Sequence, residues 1–147
     1  MGLVTRRSAL LSLSAAGAGA LLSRPALAKG NLASNPVRLP ELKIDTADLK
    51  YSVTDYELET GKYYFWKISC DGVEENIAVM APELFLNSWI NQIISNNMKV
   101  HTTSLYSIEF DGEGTQEIQF IPISPGVFRF YTPGYENKGL TGKFTVS

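Results

Sequence analysis

Short runs of aromatic and β-branched residues alternate with turn signals along most of this chain, and that alternation constrains its fold more than any other feature. Gly and Pro favour the backbone angles that tight turns need, and four dipeptides of this kind separate consecutive runs. They are Thr60-Gly61, Asp71-Gly72, Asp111-Gly112 and Pro125-Gly126. The predicted strands cover residues 51–59, 62–69, 76–80, 105–110, 115–121, 127–131 and 142–146. Seven short strands at this spacing predict an all-β domain, built as an antiparallel sandwich or barrel.

One segment breaks the strand pattern between the third and fourth predicted strands. Its apolar residues recur at positions 85, 86, 89, 90, 93 and 94, which is the spacing of one face of an α-helix. Pro82 and Glu83 suit the first turn of such a helix. We therefore predict one short helix near residues 82–95 that covers one side of the sandwich. The alternative is a helix that binds a membrane surface or a partner. That helix would need a basic polar face, whereas this face carries Asn, Ser and Gln.

The N-terminal segment has the three parts of a secretory signal. Arg6 and Arg7 precede a run of small and apolar residues, and the segment ends on Ala26-Leu27-Ala28. Paired arginines favour the twin-arginine export route. We predict an export signal over residues 1–28, with cleavage after Ala28. The alternative is a retained membrane anchor, but the apolar run is short for a span of roughly 20 residues.

The rest of the chain divides into a tail and an acidic domain. Residues 29–41 are rich in Asn, Pro, Ser and Gly and predict a flexible tail, so we expect the folded domain over residues 42–147. Without residues 1–28 the chain keeps 10 of its 13 basic residues against all 15 acidic ones, a net charge of about −5. Nucleic acids and anionic membranes bind clustered Lys and Arg, so neither is expected as a partner. We expect a periplasmic or secreted protein with no membrane span after processing and an unknown periplasmic protein as its partner.

The C-terminal third carries a run of residues typical of one protein family. Residues 120–131 read FIPISPGVFRFY. Further matches follow at Gly139, Gly142, Lys143 and Val146. This run resembles the last strands of the cupredoxins, the small blue-copper proteins typified by plastocyanin, and residues 57–68, 71–72 and 81–85 are similar to the first half of that family. The resemblance extends over most of residues 51–147 and implies a cupredoxin-like Greek-key β-sandwich or barrel of about seven or eight strands.

The same resemblance assigns four positions to the copper site of that family, and none of them carries the family's ligand. A blue-copper site uses two His, one Cys thiolate and a weak axial Met. The matching positions are Asn76 and Tyr135 for the two His, Thr132 for the Cys and Leu140 for the Met. A Thr hydroxyl stays protonated near neutral pH, a Tyr phenol has an ordinary pKa of about 10, and Leu has no lone pair. We therefore expect a degenerate copper site and no cofactor.

Two further side chains are candidate metal donors. Cys70 precedes Asp71-Gly72, where the resemblance implies a position near the copper end of the domain. It is the only Cys, so no internal disulfide can form, and a buried free Cys ordinarily packs as a small apolar residue. His101 is the only imidazole, so no second His exists for a zinc site, and a catalytic triad would have to be built on this one residue. We therefore expect no enzymatic activity.

Two functions remain open from the sequence. The first is an exported binding or interaction protein with the cupredoxin fold, accessory to a periplasmic redox or copper system. The second is a copper-binding or electron-transfer protein whose altered site involves Cys70.

The signal assignment predicts that the mature protein begins at Lys29 and accumulates outside the cytoplasm. The intact mass of protein recovered from the exported fraction measures this directly. A mature species that keeps residues 1–28 would contradict the assignment. Unchanged export after Arg6→Lys together with Arg7→Lys would exclude the twin-arginine route.

Overall fold

Twelve strands, one short α-helix and one 3-10 helix make up the part of the chain that the computed structural model describes, residues 34–72 and 76–147. In chain order the elements are β1 (Val37–Arg38), β2 (Leu42–Asp45), β3 (Lys50–Tyr51), β4 (Asp55–Leu58), β5 (Tyr64–Cys70), β6 (Ile77–Met80), α1 (Pro82–Leu86), β7 (Ser88–Ser95), β8 (Met98–Val100), β9 (Ser107–Phe110), β10 (Gly114–Pro122), β11 (Gly126–Tyr131), the 3-10 helix Glu136–Lys138 and β12 (Thr141–Val146). The export signal predicted over residues 1–28 lies outside the described residues.

The strands form two sheets. Sheet A has the order β3-β2-β5-β10-β7-β8, with β1 also paired to β5, and sheet B has the order β4-β12-β11-β6-β9. Most pairs are antiparallel, while β1–β5, β2–β5 and β12–β4 are parallel. The turns predicted at Thr60-Gly61, Asp111-Gly112 and Pro125-Gly126 each connect a strand of one sheet to a strand of the other. The all-β sandwich predicted from the strand pattern is confirmed.

An aromatic cluster fills the space between the two sheets. It consists of Trp66 from sheet A and Tyr56, Phe130 and Phe144 from sheet B, all of them buried. The Trp66 ring centroid lies 5.0 Å from that of Phe144, 5.8 Å from that of Phe130 and 6.0 Å from that of Tyr56. Aromatic pairs at these distances attract one another in addition to the apolar area that they bury. The cluster therefore holds the sheets together.

The helix predicted near residues 82–95 is wrong beyond Leu86. Helix α1 has only five residues, and Ser88–Ser95 form β7, which pairs with β10 and β8. Asn96 and Asn97 make the turn from β7 to β8 with φ values of 45° and 66°. Asn enters this left-handed region more readily than most residues, so the pair suits a hairpin turn. Within the described ranges, no helix is long and apolar enough to cross a membrane.

A β-bulge in β7 explains why the apolar residues of this strand have the spacing of a helix face. Phe120 of β10 pairs with Ile90, and its neighbour Gln119 pairs with Gln92, so Asn91 has no partner in the ladder. The extra residue interrupts the normal alternation of a strand. Two residues that face the core are therefore three positions apart, as they would be on a helix.

The segment predicted as a tail contributes a strand to sheet A. The Val37 amide donates to the Tyr63 carbonyl at 2.8 Å, and the Leu39 amide donates to the Phe65 carbonyl at 2.9 Å. The Arg38 guanidinium lies over the Phe65 ring, 4.2 Å from its centroid. Sheet A therefore begins before residue 42, where the sequence placed the start of the domain.

The buried phenols predict a loss of stability at alkaline pH. Burial raises the pKa of Tyr56 to about 12 and also raises the pKa of Tyr51. Both stay neutral in the folded protein, whereas they ionise near pH 10 once unfolded. The free energy of unfolding should be insensitive to these groups below about pH 9 and fall above about pH 10 by up to about 1.4 kcal/mol per pH unit for each phenol. Urea unfolding at several pH values measures this slope.

Phenylalanine variants identify the groups responsible for that slope. Tyr51→Phe and Tyr56→Phe should each reduce it, while Tyr106→Phe, at a residue that is 65% exposed, should leave it unchanged. An equal slope in all three variants would show that neither buried phenol causes the pH dependence.

Candidate metal centre

The four positions that the resemblance assigns to copper ligands lie at one end of the sandwich. Thr132, Tyr135 and Leu140 all belong to the segment between β11 and β12, which we call the 132–140 loop. Strands β6 and β11 are antiparallel and pair through Met80 and Tyr131. Asn76 precedes β6 and the 132–140 loop follows β11, so both lie at the same end of sheet B. The structure therefore brings three positions into one loop and the fourth to the same end.

Backbone hydrogen bonds close the 132–140 loop on itself. The Thr132 amide donates to the Leu140 carbonyl at 2.9 Å, the Tyr135 amide to the Thr132 carbonyl at 3.0 Å, and the Leu140 amide to the Tyr135 carbonyl at 3.3 Å. Gly139 has a φ of 116°, and a Cβ there would lie 3.2 Å from the Leu49 carbonyl oxygen. Gly at this position is explained by the backbone, because a side chain would be both strained and crowded.

The Thr132 side chain forms a hydrogen bond with a buried residue of the domain. Its Oγ1 lies 2.7 Å from the Tyr51 hydroxyl, and the two residues are 2% and 6% exposed. The Tyr51 ring stacks on Phe130 with a centroid separation of 5.5 Å. The sequence does not mark Tyr51 as a site residue, because its partner lies 81 positions away and no local pattern connects the two. The alternating run that begins at Tyr51 predicts a strand, but it does not indicate which side chains contact Tyr51.

The other three replaced positions also have structural roles. Leu140 is completely buried and belongs to the core, and Tyr135 packs partly against that core. The Lys138 ammonium lies 5.2 Å from the centroid of the Tyr135 ring. Asn76 is exposed with a φ of 60°, a conformation in which Asn is enriched.

These residues do not fit a blue-copper ion. The set provides a hydroxyl, a phenol, an amide and an alkyl group, and it lacks the thiolate and imidazoles on which such a site depends. Throughout residues 34–72 and 76–147, no three His, Cys, Asp or Glu side chains are grouped so that they could hold a metal ion.

Cys70 is a core residue at the end of β5. It is 4% exposed, and burial raises the pKa of its thiol. The next residue, Asp71, accepts hydrogen bonds from the Thr46 amide at 3.1 Å and from the Thr46 hydroxyl at 2.6 Å. A protonated thiol is a poor metal donor, because the thiolate is the form that binds metals. The surroundings of Cys70 thus favour a packing role.

His101 supports the bulge in β7. Its Nδ1 donates a hydrogen bond to the carbonyl of Asn91, the bulged residue, at 3.0 Å. The imidazole is exposed and lies with Trp89 beside a surface pocket of about 370 Å³. His101 follows β8 and is distant in the chain from all four positions that the resemblance assigns to copper ligands.

Comparison with known proteins identifies the fold. No protein-family model and no curated protein matches the chain. Auracyanin A, a "blue" copper protein from Chloroflexus aurantiacus, superimposes with a TM-score of 0.50 and 12% identity over 77% of this chain and 100% of auracyanin A. A laccase from Pediococcus acidilactici superimposes with a TM-score of 0.58 and 10% identity over 80% of this chain and 28% of the laccase.

A multicopper oxidase from Campylobacter jejuni gives a similar result, with a TM-score of 0.51 and 10% identity over 77% of this chain and 30% of the oxidase. The chain therefore spans less than a third of either oxidase and the whole length of the auracyanin. At these identities the likeness concerns the fold alone. The chain has a cupredoxin-like β-sandwich fold.

The residue correspondence predicts that a copper centre can be built at this end of the sandwich. The substitutions are Asn76→His, Thr132→Cys, Tyr135→His and Leu140→Met, with Cys70→Asn to prevent a disulfide. Excess copper(II) should then produce a thiolate charge-transfer band and raise the melting temperature. Without metal the variant should be less stable than the parent, because each unsatisfied buried polar group costs roughly 1–3 kcal/mol.

A second variant tests the register of the first ligand. Ile77→His replaces Asn76→His in the same background. Ile77 is 1% exposed and faces the core, so only the variant with His at position 76 should bind copper. A correctly folded protein with neither a band nor a thermal gain in either register would disprove the correspondence.

Proposed function

We propose that this protein is an exported binding or interaction protein with a cupredoxin-like fold that carries no copper at the family's site. The observation that carries the proposal is the buried contact between Tyr51 and Thr132 at 2.7 Å. Thr132 stands where the family has its thiolate, and its side chain is already engaged within the protein. The protein would then act through the surface of the domain. It would be an accessory to a periplasmic redox or copper system.

Exposed apolar side chains near the start of β7 support a protein partner. Leu86 is 75% exposed, Trp89 is 44% exposed and Ile123 is 59% exposed. The Ile123 amide donates to the Asn87 carbonyl at 2.8 Å, so the two segments that carry these side chains run side by side. Contiguous apolar surface is a common property of protein-binding sites.

The charge and the N-terminal segment support export. The acidic balance of the chain after residue 28 disfavours nucleic acid and anionic membranes, and the twin-arginine pattern directs the chain out of the cytoplasm.

The competing function, an altered copper site at Cys70, requires a thiolate. Burial raises the pKa of that thiol, which disfavours the required form at neutral pH.

The proposal predicts a colourless protein whose partner binding needs no metal. Copper(II) titration of the purified protein should show no thiolate charge-transfer band and no binding tighter than surface carboxylates and His101 provide, with His101→Ala as the control for the imidazole. The immobilised protein should retain the same exported protein with and without a chelator.

Three results would contradict this proposal. An intense visible band in the wild-type protein, or partner capture that the chelator abolishes, would show a working metal site. Tight copper(I) binding that Cys70→Ser removes would establish the competing function instead.

A further inference from the structure

We infer that Tyr51 is the residue that keeps the 132–140 loop closed and the side chain at position 132 unavailable to a metal. The inference rests on the proposed absence of copper at this end of the domain. It identifies the group responsible for that absence, the Tyr51 hydroxyl, which links the 132–140 loop to the core.

The Tyr51 hydroxyl has little freedom to move away from Thr132. Its ring is stacked on Phe130 with a centroid separation of 5.5 Å and an interplanar angle of 27°. Its backbone belongs to β3, where Tyr51 pairs with Ile44 of β2. Both side chains of the Tyr51–Thr132 contact are buried, so water does not compete for the hydrogen bond.

The segment that carries Tyr51 contacts the loop near both of its ends. Tyr51 binds Thr132, the first residue of the loop, and the Leu49 carbonyl faces Gly139, the residue before Leu140. The approach of Leu49 to Gly139 is close, since a Cβ on Gly139 would lie 3.2 Å from the Leu49 oxygen and crowd it. Residues 49–51 therefore lie directly beneath the loop and connect it to sheet A.

The phenol acts on position 132 as a hydrogen-bond partner and does not itself suit a metal. Burial, together with a smaller effect from the negative charge of Glu136, raises the pKa of Tyr51, and the phenolate that a metal would need is disfavoured. A hydroxyl held 2.7 Å from the side-chain oxygen of residue 132 occupies one of its hydrogen-bonding positions and part of the space around it. With a thiolate at that position, the O–H group would donate to the sulfur and weaken it as a metal donor.

Tyr51→Phe tests the closure of the loop in the otherwise unchanged protein. The substitution keeps the stacked ring and removes the hydroxyl. Amide hydrogen exchange across residues 132–140 should accelerate roughly 5- to 100-fold, because the Thr132 side chain loses its partner. The matched control is Tyr56→Phe, which removes another buried hydroxyl from the aromatic core, one that donates to the Pro40 carbonyl at 3.1 Å. That variant should leave exchange in the loop unchanged.

A second experiment measures copper binding in the rebuilt variant, which carries Asn76→His, Thr132→Cys, Tyr135→His, Leu140→Met and Cys70→Asn. Adding Tyr51→Phe to it should tighten copper(II) binding by roughly tenfold or more, whereas adding Tyr56→Phe should not. If Tyr51→Phe matches Tyr56→Phe in loop exchange, Tyr51 does not close the loop and the inference is wrong. If the rebuilt variant does not fold, the exchange experiment alone decides. Tight copper binding by the wild-type protein would overturn the proposed function, and the exchange experiment would still decide the role of Tyr51.

Discussion

The packing of Trp66 against Tyr56, Phe130 and Phe144 is the contact on which the rest of this structure depends. One sheet supplies Trp66 and the other supplies its three neighbours, and a chain with a single cysteine cannot join its sheets by an internal disulfide. The apolar area buried by these rings must therefore provide much of the attraction between the sheets. Phe130 belongs both to this cluster and to the stack with Tyr51, so the core extends without interruption to the 132–140 loop.

This continuity gives a physical account of how the loop keeps its shape with none of the family's ligands. In a metal centre, bonds to the metal hold several loops in fixed positions. Here the loop is held by its own backbone hydrogen bonds, by the complete burial of Leu140 and by the Tyr51 hydroxyl. Thr132 and Leu140 are buried, and Tyr135 packs against the core.

The sequence and the structure agree best where a signal is local. The turn dipeptides and the period-two runs predicted most strands correctly, because side-chain alternation and turn geometry act between near neighbours. The strands that were not predicted are β1, β2, β7 and β8. In β7 the bulge at Asn91 places Ile90 and Ile93 on the same face. A bulge forms through pairing with a neighbouring strand and cannot be recognised without that strand. The apolar residues of β7, considered alone, therefore have the spacing of a helix face. The Asn96-Asn97 turn was the available sequence signal for the hairpin.

The sequence by itself determined the all-β class, most of the strands and the donor groups present at positions 76, 132, 135 and 140, since residue identity settles donor chemistry. Only the tertiary structure showed that three of those positions are packed or partly packed into the core and that Tyr51 is bound to Thr132. The Tyr51–Thr132 contact joins Tyr51 of sheet A to a residue 81 positions away, in the loop that follows β11 of sheet B, and it forms only when the aromatic core brings the sheets together. Contacts of that kind depend on the packing of the whole domain and leave no local pattern in the chain.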